Sequence, residues 1–529
     1  MGIYLNPGNE AFKMIRKRTY VDKTGLIDYL NSVMDTSFRM TCFSRPRRFG
    51  KSFAAQMLCA YYDRSCDSGA LFEGLEISKK DSFREYLNKY DVIYLDITLF
   101  TSNYTDVTKV VQTIQLEVID ELKQEYPEFV KKNETVLVNA LFGVQQGTRR
   151  KFFVIIDEWD ALFREAKNNE AVQKEYVQLM RGLFKGGPVT SQTIAGAYIT
   201  GILPIKKYGT QSAMTDFIEY TMTSPAKLVP YVGFTESEVK ALCQNSSMDF
   251  EDMQKWYDGY SFSRLKHVYN PNSVMRALQS EEFQSYWTTS EAYESLADYI
   301  SMNFDGLKDA ITSMLGGNEV RVRIGTFQND VTSFKNKDDV LTLLIHLGYL
   351  GYNSDTRKVF IPNREVADAF ADAVSGDGWG ELGRLIQDSE DLLDATIQGD
   401  SEAVAEALDR VHDLNSSVLR YNNEASLSAA VMIAYYTARR FYKIVPEFPQ
   451  GKGFADLAFL PAKGSDKPAM LIELKYDRSA DSAIRQIKEK RYDGDLKQYF
   501  GELLLVGINY DKNAKGADAK KHTCVIEHA

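Results

Sequence analysis

Five consecutive apolar residues, Phe152-Phe153-Val154-Ile155-Ile156, run straight into two carboxylates, Asp157 and Glu158. A strand that is apolar on both faces must be covered on both faces, which is the setting of a parallel sheet flanked by helices rather than of a half-solvated antiparallel one. Well upstream, the β-prone run Arg39 to Ser44 breaks at Arg45-Pro46 and leads through Gly50-Lys51-Ser52 into apolar residues at helical spacing, from Ser52 to Tyr62. The two features define one chemistry. Gly50 permits close backbone approach, Lys51 can reach β- and γ-phosphates, Ser52 can ligate Mg²⁺, Asp157 can hold the same ion and Glu158 can polarise water, so the pair reads as a nucleoside triphosphate site. The loop departs from the full G-x-x-x-x-G-K-[ST] pattern, because Arg45 occupies the place of its first glycine.

Further β-prone runs at Val92 to Ile97 and Thr193 to Ile202 alternate with amphipathic helical stretches at Val107 to Glu125 and Ala171 to Phe184, so the first part of the chain reads as α/β. After Phe234 helical signals dominate, with Thr235 as a helix N-cap and Glu238 at the third helical position. Asp338 to Leu350 leads into a polar-turned hairpin ending near Pro362, a winged-helix-like arrangement. Two helices between Leu382 and Val411 follow, broken near Gly399 to Ser401. The C-terminal part reads as helix (Ser426 to Tyr442), strands (Phe454 to Leu460, Ala469 to Tyr476), helix (Ser479 to Arg491) and strand (Leu503 to Ile508).

A second constellation lies in that C-terminal part. Glu473 and Lys475 are two apart, so a strand projects both onto one face. Asp456 lies on the preceding strand across the polar connection Pro461 to Pro468, and a hairpin can bring it beside Glu473. Two carboxylates for Mg²⁺ or Mn²⁺ and a lysine to orient water or stabilise a phosphorane are the residue types of a metal-dependent nuclease centre.

Composition narrows the setting. At 529 residues the chain exceeds a single core, and its 31 tyrosines and 29 phenylalanines argue against disorder. The net charge of −10 means that nucleic acid binding needs a local basic groove. Five cysteines without a C-x-x-C pair suggest neither a disulfide framework nor a zinc cluster, and five scattered histidines add no ligand spacing. No cationic leader or membrane-length apolar run is present, so a cytoplasmic protein without a membrane partner is expected.

Six segments give the sequence a family likeness: Tyr20-Val21-Asp22-Lys23-Thr24, Arg45 to Ser52, Ile156 to Asp160, Trp256-Tyr257-Asp258-Gly259-Tyr260, Val268 to Ser273 and His346 to Leu350. On these it resembles, over nearly its whole length, the bacterial and archaeal family of AAA-like ATPases fused to a PD-(D/E)xK nuclease. The resemblance implies that Arg45 is a normal variant of the loop and belongs to the nucleotide-binding set with Gly50, Lys51, Ser52 and Asp157. It implies that Tyr20 to Thr24 borders the nucleotide pocket and that Thr200-Gly201 senses the γ-phosphate. It adds Glu424, with Glu447 as a competing acidic residue, and Gln486 with Tyr492, to the nuclease centre. Arg181 could act as an arginine finger or simply face solvent.

The expected architecture is an AAA-like ATPase domain over 1–233, a helical, winged-helix-like lid over 234–375, a helical linker over 376–415 and a PD-(D/E)xK nuclease-like α/β domain over 416–529. The expected function is an ATP-dependent, Mg²⁺- or Mn²⁺-dependent nuclease: Glu158 serves ATP hydrolysis; Asp456, Glu473, Lys475 and Gln486 serve cleavage; and Ser52, Asp157, Asp456 and Glu473 are the metal ligands. Nucleic acid is the expected partner, DNA ahead of RNA, with homo-oligomerisation left open, and the resemblance suggests a role in defence. The competing reading is a nucleotide-dependent binding switch with a non-cleaving C-terminal domain.

Overall fold

The computed structural model describes residues 2–103, 106–185, 187–205, 216–262, 265–287, 293–328, 334–375, 379–414, 424–450, 453–462, 465–489, 502–514 and 521–529. The chain forms two compact units, one from residues 1–286 with 321–365 and the other from residues 287–320 with 366–529.

In the first unit five parallel strands, β1 (Met40–Ser44), β2 (Asp91–Asp96), β3 (Phe152–Asp157), β4 (Ile194–Gly201) and β5 (Ile218–Tyr220), make one sheet in the order β2-β3-β4-β1-β5. Every residue of β1, β3 and β4 is buried, as expected of central parallel strands covered on both faces. The helices α1 (Lys51–Tyr62), α2 (Val110–Glu125), α3 (Leu137–Thr148) and α4 (Glu170–Phe184) provide that cover. On α2, Val110, Ile114, Val118 and Leu122 recur at helical spacing and join Val154 and Ile156 in one core. Because the chain leaves β1 for β2 at the far edge and later returns to β4 and β5 on either side of β1, the strand order reverses at β1. Ligands of open α/β sheets bind in the crevice that such a reversal opens beyond the carboxyl ends of the strands.

The rest of this unit begins with α5 (Glu236–Gln244), which Thr235 and Glu238 start as a reciprocal capping box. With α6 (Phe250–Tyr257) and α7 (Pro271–Ser280) it encloses a small core around Phe234, Met253, Tyr257 and Tyr269. Helix α8 (Lys337–Leu347) leads into an antiparallel hairpin, Gly351–Asn353 with Lys358–Phe360, where the sequence suggested a polar-turned hairpin.

In the second unit, α9 (Gly380–Ile397), α10 (Ser401–Leu414) and α11 (Glu424–Ala434) accompany a five-stranded sheet. Its strands are β6 (Tyr442–Gln450), β7 (Gly453–Pro461), β8 (Ala469–Tyr476), β9 (Leu503–Tyr510) and β10 (His522–His528), in sequential order. Only β8 and β9 are parallel, and α12 (Ala480–Glu489) is the crossover between them. Gly507 on β9 is required by this crossover, since a Cβ there would lie 2.4 Å from the carbonyl oxygen of Ala480. Where the sequence suggests one helix from Ser426 to Tyr442, the helix ends at Ala434, a short turn occupies Tyr436–Arg440 and a strand begins at Tyr442. Pro446 and Pro449 hide that strand in the sequence; a residue without an N–H fits a sheet only at its edge, and β6 is an edge strand paired with β7 alone.

Candidate nucleotide and metal sites

The loop between β1 and α1 is held at both ends. The Arg45 amide donates to the Gly201 carbonyl at 3.0 Å, and the Gly233 amide donates to the Phe49 carbonyl at 3.1 Å. The Phe49 ring is buried edge-on against Tyr260, with centroids 5.2 Å apart. On either side of Phe49, Arg48 (φ 67°) and Gly50 (φ 86°) adopt left-handed backbone, which turns the chain into the first turn of α1. A side chain at Gly50 would meet nothing within 4 Å, so glycine there serves the backbone conformation and keeps the space beyond it clear for a ligand.

Lys51, only 3% exposed, donates to the Pro46 carbonyl at 2.9 Å and pairs with Glu158 at 3.2 Å. Asp157, at the end of β3, accepts a hydrogen bond from the Ser52 hydroxyl and another from Thr200 Oγ1 at 3.3 Å. Burial raises its carboxyl to about 6, with Glu158 and Asp96 pushing the same way and Ser52 and Lys51 opposing. Glu158 has a left-handed backbone (φ 50°), an uncommon conformation for a glutamate and of the strained kind that clusters at functional sites. Burial would raise its carboxyl too, but Lys51, Arg164 and Arg47 outweigh burial and hold it below its ordinary range.

Four of the expected residues, Lys51, Ser52, Asp157 and Glu158, therefore meet at the carboxyl ends of β1 and β3, with Thr200 from β4 among them. Arg45 stands apart. It is fully buried, its Nη1 donates to the carbonyls of Ser44 (3.0 Å) and Tyr220 (2.9 Å), and its guanidinium lies 5.8 Å from the Phe43 ring and 5.6 Å from that of Phe262. Its side chain thus ties β1 to β5 and has no surface to offer a phosphate. Arg181 lies exposed on α4. In the segment Tyr20 to Thr24, the Tyr20 hydroxyl reaches Met57 of α1 at 3.4 Å and Lys23 pairs with Glu238 at 2.6 Å. That segment therefore links the phosphate-loop helix to the capping box of α5.

Three residues at this site escape the sequence reading. Asp96 ends β2 directly beside Asp157, and a strand ending in a carboxylate, as β3 does, was its available signal. Asp160 is buried and accepts the amides of Ile202 and Leu203 (2.9 Å to the latter). Arg164 donates to Glu158 Oε2 at 2.7 Å and lies 3.5 Å from Asp160. An arginine seven positions beyond a strand end carries no recognisable pattern.

In the second unit, Asp456 on β7 accepts the Leu474 amide at 2.7 Å, which fixes its carboxylate against β8. Glu473, 2% exposed, accepts from Lys475 Nζ at 2.9 Å and from Gln486 Nε2, and Lys475 also donates to the Leu474 carbonyl at 3.1 Å. The hairpin and the helical crossover bring Asp456, Glu473 and Lys475, expected from their spacing, beside Gln486, expected from the resemblance. Among the described residues no group of three or more His, Cys, Asp and Glu side chains is placed to hold a metal ion. Glu447 lies on the strand paired with β7, between Pro446 and Phe448, which face Leu457 and Ala455, and it is exposed with a left-handed backbone (φ 47°). Glu424 begins α11, and Tyr492 lies outside the described residues.

A parallel sheet with a phosphate loop and an acidic strand end, joined in one chain to a mixed sheet bearing an Asp…Glu-x-Lys constellation, defines a P-loop ATPase-like protein with a nuclease-like domain. Family comparison agrees: residues 7–210 match the model described as predicted AAA-ATPase, and residues 423–518 match the PD-(D/E)XK nuclease superfamily, so the chain carries one domain of each kind. It is also similar to an uncharacterized protein from the vnfD 5′ region of Azotobacter chroococcum mcd 1, with 23% identity over 300 residues. That match takes in 56% of this chain and spans about half of the relative, 55% of its length. Among solved structures, the Aeropyrum pernix ORC2 protein overlaps 68% of this chain and 96% of its own in the ADPNP–ADP complexes, at 10% identity and a TM-score of 0.31. Its ADP form gives a TM-score of 0.27 at the same identity, covering 67% and 92%. Likeness at that level carries no argument about either domain.

Proposed function

We propose that this protein binds and hydrolyses ATP and that its nucleotide state gates a metal-dependent nuclease acting on nucleic acid phosphodiesters. The observation that carries the proposal is the presence in one chain of two phosphate-handling constellations, Lys51 with Ser52, Asp157 and Glu158, and Asp456 with Glu473, Lys475 and Gln486. At the first, the Ser52 hydroxyl and the Asp157 carboxylate are hard oxygen donors that would hold Mg²⁺, which would supply charge neutralisation for the phosphates. Lys51 binds those phosphates, and Glu158 orients and polarises the attacking water. At the second, Asp456 and Glu473 would supply oxygen ligands to Mg²⁺ or Mn²⁺, Lys475 would orient water or stabilise the phosphorane, and Gln486 would position Glu473 or the substrate. DNA is the preferred substrate in this reading, the cytoplasm its setting, and defence its biological role. Among the described residues, no helix is long and apolar enough to cross a membrane.

One observation favours a second reading, in which the C-terminal domain binds without cutting: Lys475 and Gln486 both already engage the Glu473 Oε1 atom. Cleavage of labelled single- and double-stranded DNA and RNA, with Mg²⁺ or Mn²⁺ and with or without ATP, separates the two. Cleavage lost in Glu473→Ala supports the nuclease. Nucleotide-dependent retention of uncut nucleic acid, unchanged in Glu473→Ala, supports the binding switch.

A further inference from the structure

The Glu158 carboxylate is shared between two cations: Oε1 lies 3.2 Å from Lys51 Nζ and Oε2 accepts from Arg164 Nη2 at 2.7 Å. All three side chains are withdrawn from solvent, with Lys51 3%, Arg164 13% and Glu158 16% exposed. Arg164 is itself fixed, since its Nε lies 3.5 Å from Asp160, whose carboxylate accepts the amides of Ile202 and Leu203 just beyond β4. The result is one connected chain of charges, Lys51–Glu158–Arg164–Asp160, running from the phosphate loop to the end of β4. A guanidinium holds a carboxylate in a defined plane as well as at a defined distance, which an ammonium does not.

Phosphates that reach Lys51 compete with Glu158 and the Pro46 carbonyl for its three N–H donors. Arg164 has no such competing call. It sits behind Glu158 on the helical turn Ala161–Glu165 and its other partner is a buried aspartate.

We propose, on the basis of the ATP-site reading above, that Arg164 is the positioning residue for Glu158: while Lys51 engages the phosphates, the Arg164 guanidinium keeps Glu158 aimed toward the attacking water. Arg164 then acts in hydrolysis without touching nucleotide. General-base positioning supplies typically 10²–10⁴-fold in rate, so loss of the guanidinium should remove a measurable part of it.

The test uses the full chain with Arg164→Gln, Arg164→Lys and Lys51→Ala, measuring Mg²⁺-ATP affinity with a fluorescent ATP analogue and hydrolysis by phosphate release. The expected result for Arg164→Gln is an ATP Kd within about twofold of wild type and a kcat lowered at least tenfold, with partial recovery in Arg164→Lys, within the range of general-base effects. Lys51→Ala should lose affinity. An Arg164→Gln protein with wild-type kcat overturns the proposal while leaving the ATP site intact. Parallel loss of affinity, kcat and thermal stability in Arg164→Gln and Arg164→Lys also overturns it, because that pattern marks a merely structural ion pair. A wild-type chain that does not hydrolyse ATP removes the site reading and this inference together.

Discussion

Asp157 shows how a single residue trades stability for chemistry. Its carboxyl is raised from 3.8 to about 6 by burial, so the folded protein binds its proton more tightly than the unfolded chain does. The associated stabilisation is fully present below the unfolded value near 4 and is lost as pH rises through about 6. At neutral pH the charged carboxylate therefore costs roughly 3 kcal/mol in the nucleotide-free protein, an order-of-magnitude figure from a shift of about two units. Asp157→Asn should raise the melting temperature of the nucleotide-free protein at pH 7.5, raise it less at pH 4.5, and abolish ATP hydrolysis. A variant equally destabilised at both values would mean that Asp157 is a structural residue. In the second unit, Glu473→Gln keeps the shape of a side chain that Lys475 and Gln486 both contact. The fold should survive with near-native circular dichroism while cleavage falls by at least about 10²-fold, the scale expected when a group essential to metal-assisted chemistry is lost.

Elements differ in how visibly they are written. Strand β3 is an unbroken apolar run up to Asp157 and β1 and β4 were readable as β-prone runs, and the ends of β1 and β3 bring Lys51, Ser52, Asp157 and Glu158 to one place. The Asp456 hairpin and the Glu473–Lys475 strand were equally readable, because period-two spacing on a strand fixes a face. Strand β6 was not, since Pro446 and Pro449 read as breakers until its position at the sheet edge is known. Arg164 was not, since its role depends on a turn that brings it back to Glu158. The burial of Arg45 was not, since a basic residue in a phosphate loop reads as a ligand until β5 and Phe262 are seen around it. At this scale the crossover α12 gives a sharp prediction. Gly507→Ala places a methyl against the Ala480 carbonyl and the Ile484 side chain, and should cost about 1–3 kcal/mol by overpacking. Denaturant unfolding should register that loss, with ATP affinity unchanged; an undiminished midpoint would show that α12 shifts without cost.

The whole molecule joins sequence segments that are not neighbours along the chain. Residues 321–365 belong with the ATPase-like unit and 287–320 with the nuclease-like one, an exchange that no linear pattern announces. A net charge of −10 also means that the chain as a whole repels nucleic acid, so association should weaken steeply between about 50 and 200 mM salt if a local basic groove is what binds. Salt-insensitive retention would contradict a phosphate-backbone contact. The central claim, that nucleotide at one site governs chemistry at the other, is tested most directly by one measurement: the rate of DNA cleavage by wild type, Lys51→Ala and Glu473→Ala with Mg²⁺, with and without ATP. The account predicts ATP-dependent cleavage in wild type, none in Glu473→Ala, and an ATP-independent residual or nothing in Lys51→Ala. Cleavage by wild type that is the same with and without ATP, and unaltered in Lys51→Ala, would contradict it.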